Sequence, residues 1–350
     1  MAQVEMIYIF CFCLALILLL FVVHYGKSVN INIVLLIMAV AIGNGGYVAL
    51  SQAVNLSEAI LANNMIYVMG IFTPIIIFLI ISDICRIYIP NWVRTIMYAI
   101  QMMVYLSVLT VGHFDIFYRE VEFRMIESGG YLIKTYGPMH TVYLLLMITY
   151  TLGGIGVGVY SINRKNVVSR INVDTVIFVD ALTIGVYLVE RLIHLNMELV
   201  PVFSVFTVII MLFPLMKISF FSVHNNANLF DDELNNKGYI LFDKNLKYMG
   251  SNEYASMLFP ELQEWEMERK IPGNGGRFNT FLRQPLLRYV ESGDLVRSAG
   301  KTYEYKGEIY HFEIGPLLQK EKKLRGYFIV VSNVTDVLNS SVNEMRGTIA

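Results

Sequence analysis

The sequence has few charged residues for its length. Asp, Glu, Lys and Arg make up 16% of its 350 residues, whereas hydrophobic residues make up 55%. The surface of a soluble protein of this size needs more polar side chains than this composition provides. The composition therefore excludes an ordinary soluble protein and predicts that lipid surrounds most of the chain.

Neither sign of charge is in excess. The sequence contains 27 Lys and Arg residues and 28 Asp and Glu residues, which gives a formal net charge of -1. Proteins that bind nucleic acids obtain much of their affinity from a basic surface. The charge balance therefore predicts no nucleic-acid partner.

Cysteine is scarce, and its positions do not suggest a set of ligands. Cys11, Cys13 and Cys85 all lie in or beside apolar segments. Cys11 and Cys13 are two residues apart, so they point to different sides of a helix. We interpret all three as helix-packing residues and predict neither a disulfide nor a metal site.

Phosphate-binding motifs are also missing. Glycine-rich stretches occur at 43–46 and 153–158, but neither is followed by the Lys-Ser or Lys-Thr of a phosphate-binding loop. Both stretches fall inside apolar segments, where small residues allow helices to approach closely. We therefore predict that these glycines lie at helix contacts.

Long apolar segments fill the chain as far as Phe221. A hydrocarbon core about 30 Å thick is crossed by roughly 20 residues of helix. The sequence therefore predicts a bundle of seven transmembrane helices over residues 1–221. The predicted spans are 4–23, 29–50, 61–82, 95–112, 138–160, 172–193 and 199–221.

Basic residues set the predicted orientation of the bundle. They are concentrated in the first, third and fifth connections, whereas the second and sixth carry almost none. The positive-inside rule then leaves the N-terminus outside and everything after Phe221 in the cytoplasm. The residues concerned are Lys27, Arg86, Arg94, Arg164, Lys165 and Arg170.

The fourth connection predicts structure of its own. Residues 121–125 alternate apolar and charged side chains, and Ser128-Gly129-Gly130 offers a turn before a second extended stretch. One interpretation is an extracellular β-hairpin that forms a lid over the bundle. The other is a loop in which the alternation is incidental.

Polar residues inside the predicted spans are candidates for function because each is costly in hydrocarbon. Asp180 lies in the middle of the sixth span, and Glu190, Arg191 and His194 lie at its outer end. One hypothesis is a ligand cavity open to the outside, lined by these residues and by His140. The alternative is that Glu190 and Arg191 lie at the level of the lipid headgroups and that Asp180 pairs with a neighbouring helix.

From Lys237 onward the pattern changes to one typical of strands and turns. Asn252 is placed to cap a short helix, and Gly293 follows a longer helix predicted over 278–292. Apolar residues with period two predict five strands. These are residues 238–243, 246–249, 302–305, 308–317 and 325–334.

Several motifs give this region a family resemblance. GYILFD at 238–243, Asn252, YEYKGEIYHFEIGPL at 303–317 and GYFIVVSNVT at 326–335 resemble a PAS domain. With the seven preceding helices and Tyr-Gly-Pro at 136–138, the chain resembles the seven-transmembrane N-terminal sensor region of bacterial histidine kinases and diguanylate cyclases. The resemblance covers nearly the whole chain.

The resemblance departs at the last strand of the PAS-like region. PAS domains of such proteins commonly end in Asp-Ile-Thr, whereas this chain has Asn333-Val334-Thr335. The ion pair that the aspartate would make with the exit helix is therefore in doubt. Asp336 is adjacent and is a candidate substitute.

The resemblance implies an organisation in four parts. A linker helix over 222–236 follows the bundle, an α+β PAS-like domain with an antiparallel sheet spans 237–336, and a coiled-coil helix begins at 337–350. The last part carries apolar residues spaced four, three and four apart, as in the seam of a coiled coil. The resemblance likewise implies a parallel homodimer. The seam consists of Leu338, Val342, Met345 and Ile349.

The PAS-like region offers no cofactor signature. No cysteine follows Cys85, so a covalent flavin adduct is excluded, and segment 278–292 has no histidine to bind haem. His311 lies on a predicted strand, where packing or exposure to solvent is the simpler interpretation. We predict no cofactor. Whether this region contains a small-molecule pocket is left open.

These observations favour a bacterial inner-membrane sensor that passes a signal through PAS and the exit helix to an output domain. The 350 residues contain no kinase or cyclase motif, so enzymatic activity stays open. The expected partners are the lipid bilayer, a second copy of the chain and an unknown small-molecule ligand. A small transporter with a regulatory domain is the alternative, but it should show internal repeats, and no convincing repeat is found.

Overall fold

The computed structural model describes most of the chain. The described residues are 2–25, 30–126, 129–162, 169–192, 198–221, 237–273, 276–293, 296–298, 300–319 and 323–337. They form two compact units, a helical unit and a C-terminal unit. The predicted linker helix over 222–236 and the predicted seam from Leu338 to Ile349 lie outside the described residues.

The helical unit contains seven helices that are long and apolar enough to cross a membrane. This confirms the predicted number of spans, and most of the bounds agree to within a few residues. The helices are α1 Ala2–Tyr25, α2 Ile31–Gln52, α3 Leu56–Ile84, α4 Asn91–Leu109, α5 Pro138–Ile162, α6 Arg170–Leu192 and α7 Val200–Phe220.

Helix α3 begins five residues before its predicted start at 61 because its first turn is polar and capped. The Asn55 side chain accepts a hydrogen bond from the Glu58 amide at 2.9 Å, and the Glu58 carboxylate accepts one from the Val54 amide at 3.0 Å. These reciprocal bonds satisfy amides that the helix itself leaves unpaired. An apolar window cannot detect such a turn.

Glycines bring α2 and α3 into close contact, as the sequence predicted. A Cβ atom added to Gly46 would lie 2.8 Å from the carbonyl oxygen of Ala62 and 2.8 Å from the amide nitrogen of Ile66. A Cβ added to Gly158 of α5 would likewise overlap the side chain of Ile177 on α6. These two glycines therefore serve helix packing. The prediction is wrong for Gly156, which is exposed and where an added Cβ would meet nothing within 4 Å.

The helices are joined at one end by a polar cluster around Asp83. The Asp83 carboxylate accepts hydrogen bonds from Asn30 at 2.6 Å and Asn32 at 3.0 Å, and it forms an ion pair with Arg94 at 3.0 Å. The four residues come from the starts of α2 and α4 and the end of α3. The cluster thus fixes three helices at the end opposite the α4–α5 connection.

The α4–α5 connection forms an antiparallel β-hairpin, which confirms that prediction. Strands β1 Tyr118–Ile126 and β2 Gly129–Tyr136 pair with Val121 opposite Lys134. Leu132 packs with Leu50 and Ala59 at the adjoining ends of α2 and α3. The hairpin therefore lies on the bundle, at what we call the hairpin end.

Tyr118 anchors the hairpin to α3. It is buried, and its hydroxyl lies 2.7 Å from the hydroxyl of Tyr67. Burial raises the pKa of the Tyr118 phenol far above its usual range. The phenol therefore keeps its proton and stays neutral.

The C-terminal unit is an antiparallel sheet with helices packed on one face. Its strand order is β4-β3-β7-β6-β5. The α+β fold with an antiparallel sheet is therefore as predicted. The elements are β3 Gly238–Asp243, β4 Tyr248–Ser251, α8 Glu253–Leu258, a 3-10 helix Pro260–Glu264, α9 Arg277–Ser292, β5 Lys301–Tyr305, β6 Glu308–Gln319 and β7 Lys323–Asn333.

Alternating residues of β3 enter two apolar clusters. Ile240 and Phe242 pack with Leu282 of α9 and with Trp265. Tyr239 and Leu241, which alternate with them along the strand, pack in a second cluster. This is the period of two that the sequence predicted. Both faces of the strand are therefore buried.

Asn333, where the resemblance leads one to expect aspartate, is matched to its surroundings. Its side-chain amide donates to the Glu308 carboxylate at 3.0 Å, and its side-chain oxygen accepts from the Thr335 amide at 3.0 Å. An aspartate here would place two carboxylates together. Burial, and the hydrogen bond that Tyr310 donates to Glu308, raise the pKa of the Tyr310 phenol. Asp336 is exposed.

Asn252→Ala is expected to destabilise the C-terminal unit by about 2 kcal/mol, because an N-cap and two further hydrogen bonds are lost. The Asn252 side chain accepts from the amides of Ala255 and Tyr239 and donates to the carbonyl of Lys237. Urea unfolding followed by Trp265 fluorescence, with Trp92 replaced by Phe, measures this change.

The matched control for Asn252→Ala is Asn245→Ala. Asn245 is exposed in the turn after β3. Its replacement should leave the urea midpoint within error of the unsubstituted chain. Equal midpoints for both alanine variants would contradict the capping role of Asn252.

Candidate functional site

A cavity lies between four helices of the helical unit. About 690 Å³ of empty space lies within it, a figure that includes open solvent. Helix α3 contributes Met69, Gly70, Thr73, Pro74 and Ile77, α5 contributes Tyr143, Met147 and Thr151, α6 contributes Asp180, Thr183, Ile184, Val186 and Tyr187, and α7 contributes Val200, Phe203, Ser204 and Thr207.

The cavity extends from the middle of the bundle to the hairpin end. Asp180 lies twelve residues before the end of α6 at Leu192, which is about 18 Å along the helix. Val200 is the first residue of α7. Because α6 ends and α7 begins at the hairpin end, the cavity connects that end to the centre of the span.

Asp180 is the acidic residue in the cavity wall. It is 2% exposed, and its Oδ2 atom has no hydrogen-bond partner among the described residues. A Cβ added to Gly154 of α5 would lie 2.8 Å from this oxygen. Thr151, also on α5, interacts with the same carboxyl group. Asp180 therefore lies both against α5 and in the cavity wall. Pairing with a neighbouring helix and lining a cavity, the two hypotheses for this residue, are thus compatible.

Hydroxyl groups form the rest of the polar lining. Thr183 and Thr207 lie 3.4 Å apart across α6 and α7, and Ser204 accepts a hydrogen bond from Asn44 of α2 at 3.3 Å. Thr73 is 7% exposed, and its hydroxyl has no partner among the described residues. The cavity thus offers unused hydrogen-bonding capacity in an apolar setting.

Glu190 binds protein backbone at the start of α7, beside Val200 of the cavity lining. Its carboxylate accepts hydrogen bonds from the amides of Leu199 and Val200, the latter at 2.7 Å. A carboxylate is favourable at a helix N-terminus, where unpaired amides concentrate positive charge. Glu190 therefore holds the start of α7 beside α6 and is absent from the described cavity lining.

His140 lies in an aromatic cluster under the hairpin. It is 2% exposed and stacks on Tyr136 with 3.9 Å between ring centroids. Phe117 and Tyr143 make edge contacts with its ring. Of these residues, only Tyr143 is among those that line the cavity.

The remaining predicted site residues are only partly covered by the structure. For Arg191 only the backbone is described, and His194 lies outside the described residues. Among the described residues, no group of three or more His, Cys, Asp and Glu side chains could hold a metal ion. Cys11 and Cys85 are buried, as expected for helix-packing residues. Cys13 is exposed on the opposite side of the helix from Cys11, so the packing interpretation is wrong for Cys13.

The fold and the cavity define a multi-pass membrane protein whose spans enclose a partly polar site. A comparison with protein families identifies it further. Residues 7–224 match the family described as the N-terminal 7TM region of histidine kinase, and the chain belongs to that family. The predicted seven-transmembrane sensor region is thereby confirmed. A search of curated proteins finds no match.

Proposed function

We propose that this chain senses a ligand through its helical unit and relays its presence to the C-terminal unit. The match of residues 7–224 to the N-terminal 7TM region of histidine kinase carries the proposal. That region is the membrane sensor module of a signalling protein. The cavity supports a small-molecule signal because it is an apolar opening between helices that contains unpaired polar atoms.

We further propose that the C-terminal unit is a PAS domain spanning residues 237–336. Two strands, helices and three strands in one antiparallel sheet support this assignment. Its proposed role is to receive the signal from the bundle and pass it to an exit helix and an output domain of the kinase or cyclase type. We propose no bound cofactor for it.

The proposed orientation places the hairpin end outside the bacterial inner membrane and the C-terminal unit in the cytoplasm. Arg86 and Arg94, in the α3–α4 connection and at the start of α4, support this orientation because they lie at the opposite end. The part of the cavity lined by Val200 would then lie toward the outside. The ligand would enter without crossing the bilayer.

A change inside the cavity is expected to alter the C-terminal unit if the two are coupled. Thr207→Leu adds apolar volume to the cavity wall, so the larger side chain fills part of the cavity as a bound ligand would. We expect altered hydrogen–deuterium exchange at 323–337 in the full chain reconstituted in nanodiscs. The matched control is Thr149→Leu, because Thr149 is exposed on α5. Unchanged exchange in both variants would contradict the relay.

The proposed homodimer is tested at the coiled-coil seam. In a cysteine-free background, Val342→Cys lies on the predicted seam and Asn343→Cys lies off it. Mild oxidation in membranes should cross-link the Val342 variant severalfold more than the Asn343 variant, because facing seam positions approach closely. Equal cross-linking of the two variants would contradict a parallel seam.

A further inference from the structure

We propose that the cavity binds a small organic ammonium ion with an apolar body, and that Asp180 is the counter-ion of its amino group. This inference rests on the proposed function because it takes the cavity to be the ligand site. It adds the chemical class of the ligand. The sequence alone offers no choice among ligand classes.

The charge of the cavity favours a cation. Asp180 is nearly fully buried, and its Oδ2 atom has no hydrogen-bond partner among the described residues. No basic side chain occurs among the described residues of the cavity lining. An ionised carboxylate in so apolar a site is costly, and either protonation or an accompanying cation removes that cost. A ligand with an ammonium group supplies that cation, whereas an anionic ligand would add to the cost.

The remaining polar groups of the cavity include acceptors for an ammonium ion or for other donors of a ligand. Such a group donates up to three hydrogen bonds. The buried hydroxyl of Thr73 has no partner among the described residues, and Thr207 offers a second hydroxyl in the same wall. These oxygens can accept hydrogen bonds from polar groups of a ligand in the cavity.

The apolar lining matches the body of such a ligand. Met69, Ile77 and Met147 provide aliphatic and thioether surface from α3 and α5. Tyr187 and Phe203 provide aromatic rings, which attract cations through their faces as well as apolar groups. An amine with an aliphatic or aromatic body therefore finds a partner for each of its parts.

Three small thiol reagents test the inference directly. In a background with Cys11, Cys13 and Cys85 replaced by Ala, Thr207→Cys places a single thiol in the cavity wall. The purified full chain in nanodiscs is treated with aminoethyl, sulfonatoethyl and methyl methanethiosulfonate, which are cationic, anionic and neutral. Thr135→Cys, exposed on β2, supplies the reference rate for each reagent.

After division by the reference rates, the cationic reagent should modify Thr207→Cys at least about tenfold faster than the anionic one, as expected for a charged cleft. Asp180→Asn should abolish this preference. The rate with the neutral reagent should stay unchanged in Asp180→Asn, which verifies that the cavity is intact.

Two other results would overturn the inference in distinguishable ways. Modification by all three reagents without a preference for charge, or with a preference that survives Asp180→Asn, refutes the ammonium ligand and leaves the cavity as a ligand site. If no reagent modifies Thr207→Cys while Thr135→Cys reacts, the cavity is closed to small molecules. That result refutes both the ligand class and the proposed ligand site.

Discussion

Gly46→Val should destabilise the helical unit by about 3 kcal/mol, because overpacking against rigid backbone leaves little room for relaxation. A Cβ at this position would lie 2.8 Å from backbone atoms of Ala62 and Ile66 on α3. Helices α2 and α3 would have to separate. The midpoint of thermal unfolding in detergent, measured by size-exclusion fluorescence, should fall by about 10 °C.

Gly156→Val is the control that isolates helix contact from helix propensity. Gly156 also lies within a membrane helix, but it is exposed and a Cβ there meets nothing within 4 Å. Its unfolding midpoint should therefore stay near that of the unsubstituted chain. Similar losses in Gly46→Val and Gly156→Val would show that the α2–α3 contact is not the cause.

Asp83→Ala should also destabilise the helical unit, by about 2 kcal/mol, because one change removes three polar contacts and leaves Arg94 without its counter-ion. The side chains of Asp83 and Arg94 are only 22% and 29% exposed, so water replaces the lost contacts incompletely. The same thermal measurement applies. High salt should weaken the wild-type cluster only slightly, since partly buried pairs are poorly screened.

Asp115→Ala is the control for Asp83→Ala. Asp115 is exposed between α4 and the hairpin. It carries the same charge, so its replacement changes the net charge of the chain equally. A drop in midpoint for Asp115→Ala as large as that for Asp83→Ala would attribute the effect to net charge and not to the cluster.

The sequence predicted the elements well wherever a repeating pattern carries the information. Apolar length located the seven helices, and alternation located the hairpin and the strands of the C-terminal unit. The first turn of α3 was missed because Asn55 and Glu58 stabilise it through capping, which has no apolar signal. Strand β4 begins later than predicted, at Tyr248, after a turn in which Leu246 has φ 59°.

The site was predictable only in part. Asp180 stood out because a carboxylate in the middle of a span is rare. Thr73 and Thr207 gave no such signal, because the sequence does not show which hydroxyl groups find a partner on the preceding turn. Thr73 finds none among the described residues. The role of Glu190 depends on the amides of Leu199 and Val200, which lie beside it at the start of α7. Such contacts between helices leave no local pattern.

The proposed direction of signalling depends on the proposed orientation across the membrane, which single-cysteine labelling measures. Thr135→Cys on the hairpin and Gln263→Cys on the 3-10 helix are both exposed positions. In intact cells a membrane-impermeant maleimide should label Thr135→Cys, and it should label Gln263→Cys only after the membrane is permeabilised. Labelling of Gln263→Cys in intact cells would contradict a signal that passes from outside to the cytoplasm.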